Sequence, residues 1–204
     1  KLPRFWAVGV SGTEQKIVYS DDGGKNWKIQ YNVTDRRSLE DITFPDKKIG
    51  YAVGPKGKIL KTTDAGTNWQ GLNTGTTADL FGIDCADQTR CWAVGDKGTI
   101  IFTADSGASW MPQISGTNRK FEEVYFIDQD QGWVVGAAGY SGNDVFHTVD
   151  GGTTWEMQKT GVLLSLVDLQ CIDQNCWAVG SGVKATMIQT VDGGLSWTPV
   201  TVPS

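Results

Sequence analysis

The sequence predicts an all-β protein, a β-propeller of four-stranded antiparallel blades, and three repeating signals predict it. The octapeptide TVDGGTTW (Thr148 to Trp155) occurs in five versions, the others being SDDGGKNW from Ser20, TTDAGTNW from Thr62, TADSGASW from Thr103 and TVDGGLSW from Thr190. Its closing tryptophans, Trp27, Trp69, Trp110, Trp155 and Trp197, recur every 41 to 45 residues. An aromatic-Ala/Val-Val-Gly run keeps the same beat and ends at Gly9, Gly54, Gly95, Gly136 and Gly180. In four units an apolar alternation precedes that run: LEDITF (Leu39 to Phe44), LFGIDC (Leu80 to Cys85), FEEVYF (Phe121 to Phe126) and LVDLQC (Leu166 to Cys171). A period near forty with several strand signals per unit is the mark of propeller blades.

Each unit reads as four strands. Strand A is the Leu-x-x-Ile-x-Phe alternation and strand B the aromatic-Ala-Val-Gly run. Strand C is KIVYS, KILKT, TIIFT, DVFHT or TMIQT, and strand D starts at the tryptophan. No segment sustains a 3.6-residue apolar period, so almost no helix is expected. A four-stranded sheet with two apolar faces must stack on neighbours, which explains the repetition. The expected organisation is one propeller domain over 1–204, with blades near 1–34, 35–75, 76–116, 117–161 and 162–204. The first blade lacks its innermost strand, because only KLPRF precedes WAVG. Nineteen strands are therefore expected where five full blades need twenty. Either the ring closes imperfectly with five blades, or residues outside this chain complete a ring of six or seven, which is the favoured expectation. A start at Lys1 without methionine fits a processed or truncated chain.

Composition excludes several partners. With 204 residues and 39% hydrophobic content the chain can bury a full core, while 26 glycines and 9 tryptophans point to many tight turns and large packed rings. The net charge of -5 is mild and both signs are interspersed, so no basic field for nucleic acid and no polybasic membrane patch is present. No run approaches the roughly eighteen apolar residues of a membrane span.

Between strands C and D the octapeptide has the parts of a tight reversal. Its carboxylate can accept N–H bonds of its own turn, and its glycine can take a positive φ. Flanking Ser, Thr or Asn side chains add local bonds. The tryptophan is expected to carry the turn into the core, burying on the order of 200 Å², or roughly 5 kcal/mol gross in each blade. Asp22, Asp64, Asp105, Asp150 and Asp192 are thus read as architecture. Calcium takes about six to eight oxygens, which one carboxylate in a short turn cannot supply. Catalysis needs unlike groups converging in a cleft, whereas these five are equivalent positions around a ring. Neither a metal nor a cofactor is expected, and no catalytic residue is assigned. The lone His147 reads as structural.

The cysteines follow the repeat. Cys85 and Cys171 take the strand A position of Phe44 and Phe126, and Cys91 and Cys176 take the position of Gly50 and Gly132 before strand B. Each pair faces itself across one A–B hairpin, favouring disulfides Cys85–Cys91 and Cys171–Cys176 over a four-thiolate zinc site, since a whole blade separates the pairs. Two disulfides imply an extracytoplasmic location: secreted, periplasmic, lumenal or cell-surface. The sequon at Asn32 is compatible with a secreted origin.

Because A–B and C–D turns share one edge of a blade, the B–C and D–A loops are free to vary on the other. There Tyr140, in the loop AAGYSGN, and Arg36, Arg37, Arg119 and Lys120 are the candidate binding residues, with solvated loop positions as the alternative.

The octapeptide resembles the Asp-box, or bacterial neuraminidase repeat. Whole blades such as YAVGPKGKILKTTDAGTNW (Tyr51 to Trp69) look like the photosystem II assembly and stability factor family of seven-bladed propellers. That resemblance implies a partner in another protein or a membrane-protein complex. Asp-boxes also occur in sialidases, xyloglucanases and sortilin-type receptors. A sialidase needs an arginine triad, and none of Arg4, Arg36, Arg37, Arg90 and Arg119 lies in an Arg-Ile-Pro context. A xyloglucanase needs two carboxylates across a cleft between two propellers. The expected function is a non-catalytic extracytoplasmic scaffold for protein binding or assembly. The alternatives are a photosystem II assembly factor-like protein, or a carbohydrate-binding or glycoside hydrolase propeller fragment with a glycan as ligand.

Overall fold

A computed structural model describes residues 3–137, 144–161, 165–181 and 186–201. Five antiparallel sheets follow one another along the chain, each a meander. The first has β1 (Phe5–Ser11), β2 (Glu14–Ser20) and β3 (Lys28–Thr34). The second has β4 (Asp41–Thr43), β5 (Gly50–Gly54), β6 (Lys58–Thr62) and β7 (Gln70–Gly71). The third runs β8 (Leu80–Cys85), β9 (Cys91–Gly95), β10 (Ile100–Thr103) and β11 (Met111–Gln113). The fourth runs β12 (Phe121–Phe126), β13 (Gly132–Gly136), β14 (Asp144–Thr148) and β15 (Glu156–Lys159). The fifth runs β16 (Ser165–Ile172), β17 (Asn175–Ser181), β18 (Thr186–Thr190) and β19 (Thr198–Val200). The only helical turns among the described residues are two 3-10 turns, Pro55–Gly57 and Asp96–Gly98, in B–C loops. The protein is a β-propeller of blades.

The core lies between blades. Strand B is buried throughout in blades two to four, so both sheet faces are covered. Tyr51, Val53 and Ile59 of the second blade pack on Leu80, Ile83 and Trp110 of the third. Trp92 and Ile100 then meet Phe121, Phe126 and Phe146 of the fourth, and Trp133 and Val145 meet Leu166, Ile188 and Trp197 of the fifth. Trp69 leans back on Ile17 and Trp6 of the first blade. The octapeptide tryptophans of blades two to five thus pack on the blade before their own. Trp110 and Trp197 are buried, and Trp69 and Trp155 are partly buried.

Trp27 corrects the expectation that all five enter the core: it is 46% exposed, and its indole N–H turns back to the Gly24 carbonyl at 3.1 Å. Among the described residues no blade stands before the first, so the ring has nothing to pack on. Nor does an apolar cluster among them join the fifth sheet to the first. A side chain at Gly95 or Gly136 would strike the backbone where the D–A loop enters strand A, at Asp79 and Leu80 or at Lys120 and Phe121, whereas one at Gly9 would meet nothing within 4 Å. The motif keeps its glycine beside an open strand edge.

The A–B hairpins come in two chemical forms. In blades two and four, Phe44 and Phe126 lie over Gly50 and Gly132, where a side chain would collide with the ring. Trp6 and Trp92 of the preceding blades stack on these phenylalanines, at 3.9 and 3.5 Å between centroids. In blades three and five the same positions form Cys85–Cys91, with S–S 2.05 Å, and Cys171–Cys176, with S–S 2.08 Å. Both pairs are direct cross-strand neighbours. Tyr51 and Trp133 sit in the clusters that contain these cystines.

Candidate functional site

The two rims of the propeller differ. On one, Asp-box turns bond to A–B turns, as Ala65 N–H does to Lys48, Ser106 to Thr89, Gly151 to Asp130 and Gly193 to Gln174. In every box a buried Ser or Thr hydroxyl (Ser20, Thr62, Thr103, Thr148 or Thr190) donates to the aspartate at 2.6–2.8 Å. The same oxygen accepts the N–H of the second glycine at 2.8–2.9 Å. Asp22 accepts the backbone N–H of Lys25 as well, and in every box the aspartate also accepts that of the residue four along, Asn26, Asn68, Ser109, Thr154 or Ser196, at 2.9–3.0 Å. That residue's side chain donates to the second carboxylate oxygen at 2.6–2.8 Å. These bonds, from Asn26, Ser109 and Ser196 above all, hold Asp22, Asp105 and Asp192 down at about 2. Asp64 and Asp150 are lowered for the same reason. Both oxygens of each carboxylate are committed to the turn.

The second glycine has a φ of +82° to +89° in all five boxes, while the first position accommodates Ala65 and Ser106 at +60°. Three of these second glycines also face a glutamine of the preceding blade: Gly66 faces Gln30, Gly152 faces Gln113 and Gly194 faces Gln158. Gln30 donates to the Ala65 carbonyl at 3.0 Å and accepts from the Trp6 indole at 3.0 Å. Gln113 donates to Gly151 at 2.8 Å and accepts from Trp155 at 3.3 Å, and Gln158 accepts from Trp197 at 3.0 Å. Sequence reasoning missed these latches, although a glutamine three residues after the closing tryptophan recurs in three units.

The opposite rim carries Arg36, Arg37, Arg119 and Lys120 of the predicted binding residues. Arg36 is exposed. Arg37 is held by Asp35, its backbone N–H at 3.1 Å and Nε at 3.4 Å. Asp35 also meets Lys58 at 3.5 Å, and Lys58 donates to Gln15 at 2.7 Å, so a D–A loop and two B–C elements join here. Arg119 and Lys120 are partly buried in the D–A loop that precedes blade four. Lys120 pairs with Glu122 at 2.8 Å and lies 3.7 Å over the Phe81 ring. The loop of residues 72–79 separates this group from the arginines, so the structure puts them on one rim but in two places. Tyr140 lies outside the described residues. His147 stacks on Trp133, 4.7 Å between centroids, and burial pushes its imidazole down, against a smaller opposing effect of Glu156.

A cluster the sequence reading passed over lies at the axis. A cleft of about 290 Å³ between the A strands is lined by Asp41, Asp84, Glu123, Tyr125, Asp168 and Gln170 among others. Burial raises Asp84 to about 6, and it pushes Asp41 and Glu123 above the ordinary carboxylate range as well. Among the described residues no group of three or more His, Cys, Asp or Glu side chains is arranged to hold a metal ion. No helix among them is long and apolar enough to cross a membrane.

The family model described as Photosynthesis system II assembly factor YCF48 matches residues 29–111, 62–159 and 113–204, in overlapping stretches, and the BNR/Asp-box repeat model matches residues 18–28. No curated protein matches the sequence. Among solved structures, "YCF48 bound to D1 peptide" superposes with a TM-score of 0.66 at 17% identity, over 81% of this chain and 54% of that one. "YCF48 from Cyanidioschyzon merolae" gives 0.65 at 19%, over 95% and 70%. A GH74 enzyme of Niastella koreensis gives 0.76 at 13%, over 96% and 36%. At such identities the likeness shows the fold alone. The chain spans about half the length, 54%, of the peptide-bound structure.

Proposed function

We propose that this chain, which belongs to the Photosynthesis system II assembly factor YCF48 family, is a non-catalytic extracytoplasmic scaffold that binds a protein segment during assembly of a membrane complex. The family match carries the reading, since it extends from residue 29 to residue 204. A peptide as ligand is supported by the YCF48 structure described as bound to D1 peptide. A scaffold rather than an enzyme is supported by the Asp-box carboxylates, each of which is committed to its own turn. An oxidising compartment is supported by the two cystines.

On this reading the partner docks on the rim of D–A and B–C loops, where Arg36, Arg37, Arg119, Lys120 and Tyr140 contribute. Fluorescence anisotropy with a labelled D1 peptide tests it. The expected result is saturable binding that weakens with salt, because exposed cations act through screened charge. Replacing Arg36 and Arg37 together with alanine is expected to weaken it several-fold. Absence of saturable binding would sink the peptide reading, and release of reducing sugar from xyloglucan would overturn the non-enzyme one.

A further inference from the structure

The inner strands of four blades bring four carboxylates into one cleft. Asp41 Oδ2 accepts the Ile83 N–H of the next blade at 2.8 Å, and Asp84 Oδ2 accepts the Phe126 N–H of the blade after that at 2.7 Å. Both are inter-blade ties at the centre of the structure, spanning 42 residues of sequence. Glu123 lies against Gly82, where the other described inner strands carry Asp41, Glu123 and Asp168, and any Cβ there would come within 2.9 Å of Glu123 Oε1 and of the backbone of residues 122 and 123. Glu123 also accepts its neighbour's N–H, from Val124 at 2.8 Å, as Asp168 does from Leu169 at 2.7 Å.

The charges facing this cleft have one sign. The strand β4 contributes Asp41, β8 Asp84, β12 Glu123 with the Tyr125 phenol, and β16 the exposed Asp168 with the neutral Gln170. Asp41, Asp84 and Asp168 all act unfavourably on ionised Glu123, Asp168 on Asp41, and Asp41 on Asp84. Among the described residues no lysine or arginine lines this cleft.

We propose that this axial group is a pH-sensitive latch: while it retains protons, the N–H ties to Asp41 and Asp84 hold the inner strands of blades two to four together, and when it is fully ionised its like charges push the four inner strands around the cleft apart. Burial without a counter-charge disfavours the ionised form, and like charges add to that penalty. Asp41, Asp84 and Glu123 act on one another and so titrate together. The folded-state values of Asp41, Asp84 and Glu123 lie above the unfolded ones, 3.8 for aspartate and 4.5 for glutamate, so the folded state binds more protons. The stabilisation is complete below those values and is lost as pH rises through about 6, where Asp84 titrates, and beyond it for Glu123. The propeller is then firmest in mildly acidic solution and loosens above neutrality.

Thermal and urea unfolding of the chain from pH 5 to pH 8, at constant ionic strength, tests the latch. The wild type is expected to lose about 5 °C or more in Tm over this range, and the slope of stability against pH corresponds to about one proton or more released on unfolding. Glu123→Gln keeps the shape, removes the charge and should at least halve the slope. If that variant fails to fold, Asp41→Asn carries the same test. A carboxyl NMR titration of the wild type reads Glu123 directly and is expected to show a midpoint above the usual carboxylate range. A pH-independent Tm, an unchanged slope in both variants or an ordinary Glu123 midpoint would each overturn the proposal.

Discussion

In the third blade, Asp105 of the C–D turn and Asp84 of the inner strand have opposite electrostatics. Asp105, in the outer turn, is exposed and takes bonds from Thr103, from Ser109 Oγ and from the Ser109 backbone, which hold it ionised down to about 2. Asp84, at the axis, accepts the Phe126 N–H, yet burial beside Asp41 raises it to about 6. Hydrogen-bond donors are present in both places. What differs is water: the turn leaves the charge hydrated, while the axis strips hydration and supplies only like charge. The carboxylate that looks like a site is spent on its own loop, and the one that looks like a strand residue carries the unresolved charge.

The contrast can be broken first at the axis. Gly82→Val would drive a branched side chain into the Glu123 carboxyl and the backbone behind it. A loss of roughly 3 kcal/mol or more is expected in urea unfolding, as for overpacked or strained core sites. Gly71→Ala is the control, since a Cβ there meets nothing within 4 Å, and it should leave the midpoint almost unchanged. A loss equal in the two variants would show that the axis is not specially packed.

A smaller effect is expected at the turn. Thr103→Val keeps the volume of a fully buried side chain but removes both the donor to Asp105 and the acceptor of the Gly107 N–H. The loss should be about 1–3 kcal/mol, the cost of a buried donor left unpaired. It should be read by urea midpoint, and a neutral result would move the turn's stability to the glycine alone.

The smallest effect concerns acid. Because the Asp-box carboxylates are lowered in the folded state, their stabilisation is present above about pH 4. It is lost as pH falls through about 2 for Asp22, Asp105 and Asp192. Circular dichroism should show a loss of stability between those limits, on the acid side of the window in which the axial group acts. Asp192→Asn should be somewhat less stable at neutral pH and have a shallower acid limb. An unchanged acid limb would break the comparison from this side.

Much of this was legible beforehand, because a repeat fixes register. Five octapeptides placed the turns, and the exchange of Phe126 and Gly132 for Cys171 and Cys176 placed both partners of a cystine across one hairpin. The glutamine latches were missed, because a lone polar residue on an outer strand shows its purpose only when the next blade's carbonyl is beside it. The axial group escaped for a different reason. Asp41, Glu123 and Asp168 share a register in the strand A alternation, and read along one strand such positions are simply the polar half of an amphipathic pattern.

The sequence alone determined the blade: its strands, its tight turns, its cystines and the hydrogen bonds of each Asp-box, because all of these are settled within about forty residues by local geometry. Tertiary structure alone decided what lies between blades. Trp27 is exposed while Trp197 is buried, although both close the same motif, because burial depends on a neighbouring sheet and not on the residue. Asp41, Asp84, Glu123 and Asp168 come to act on one another only when radial stacking brings four distant strands around one cleft, where like charges meet at short range.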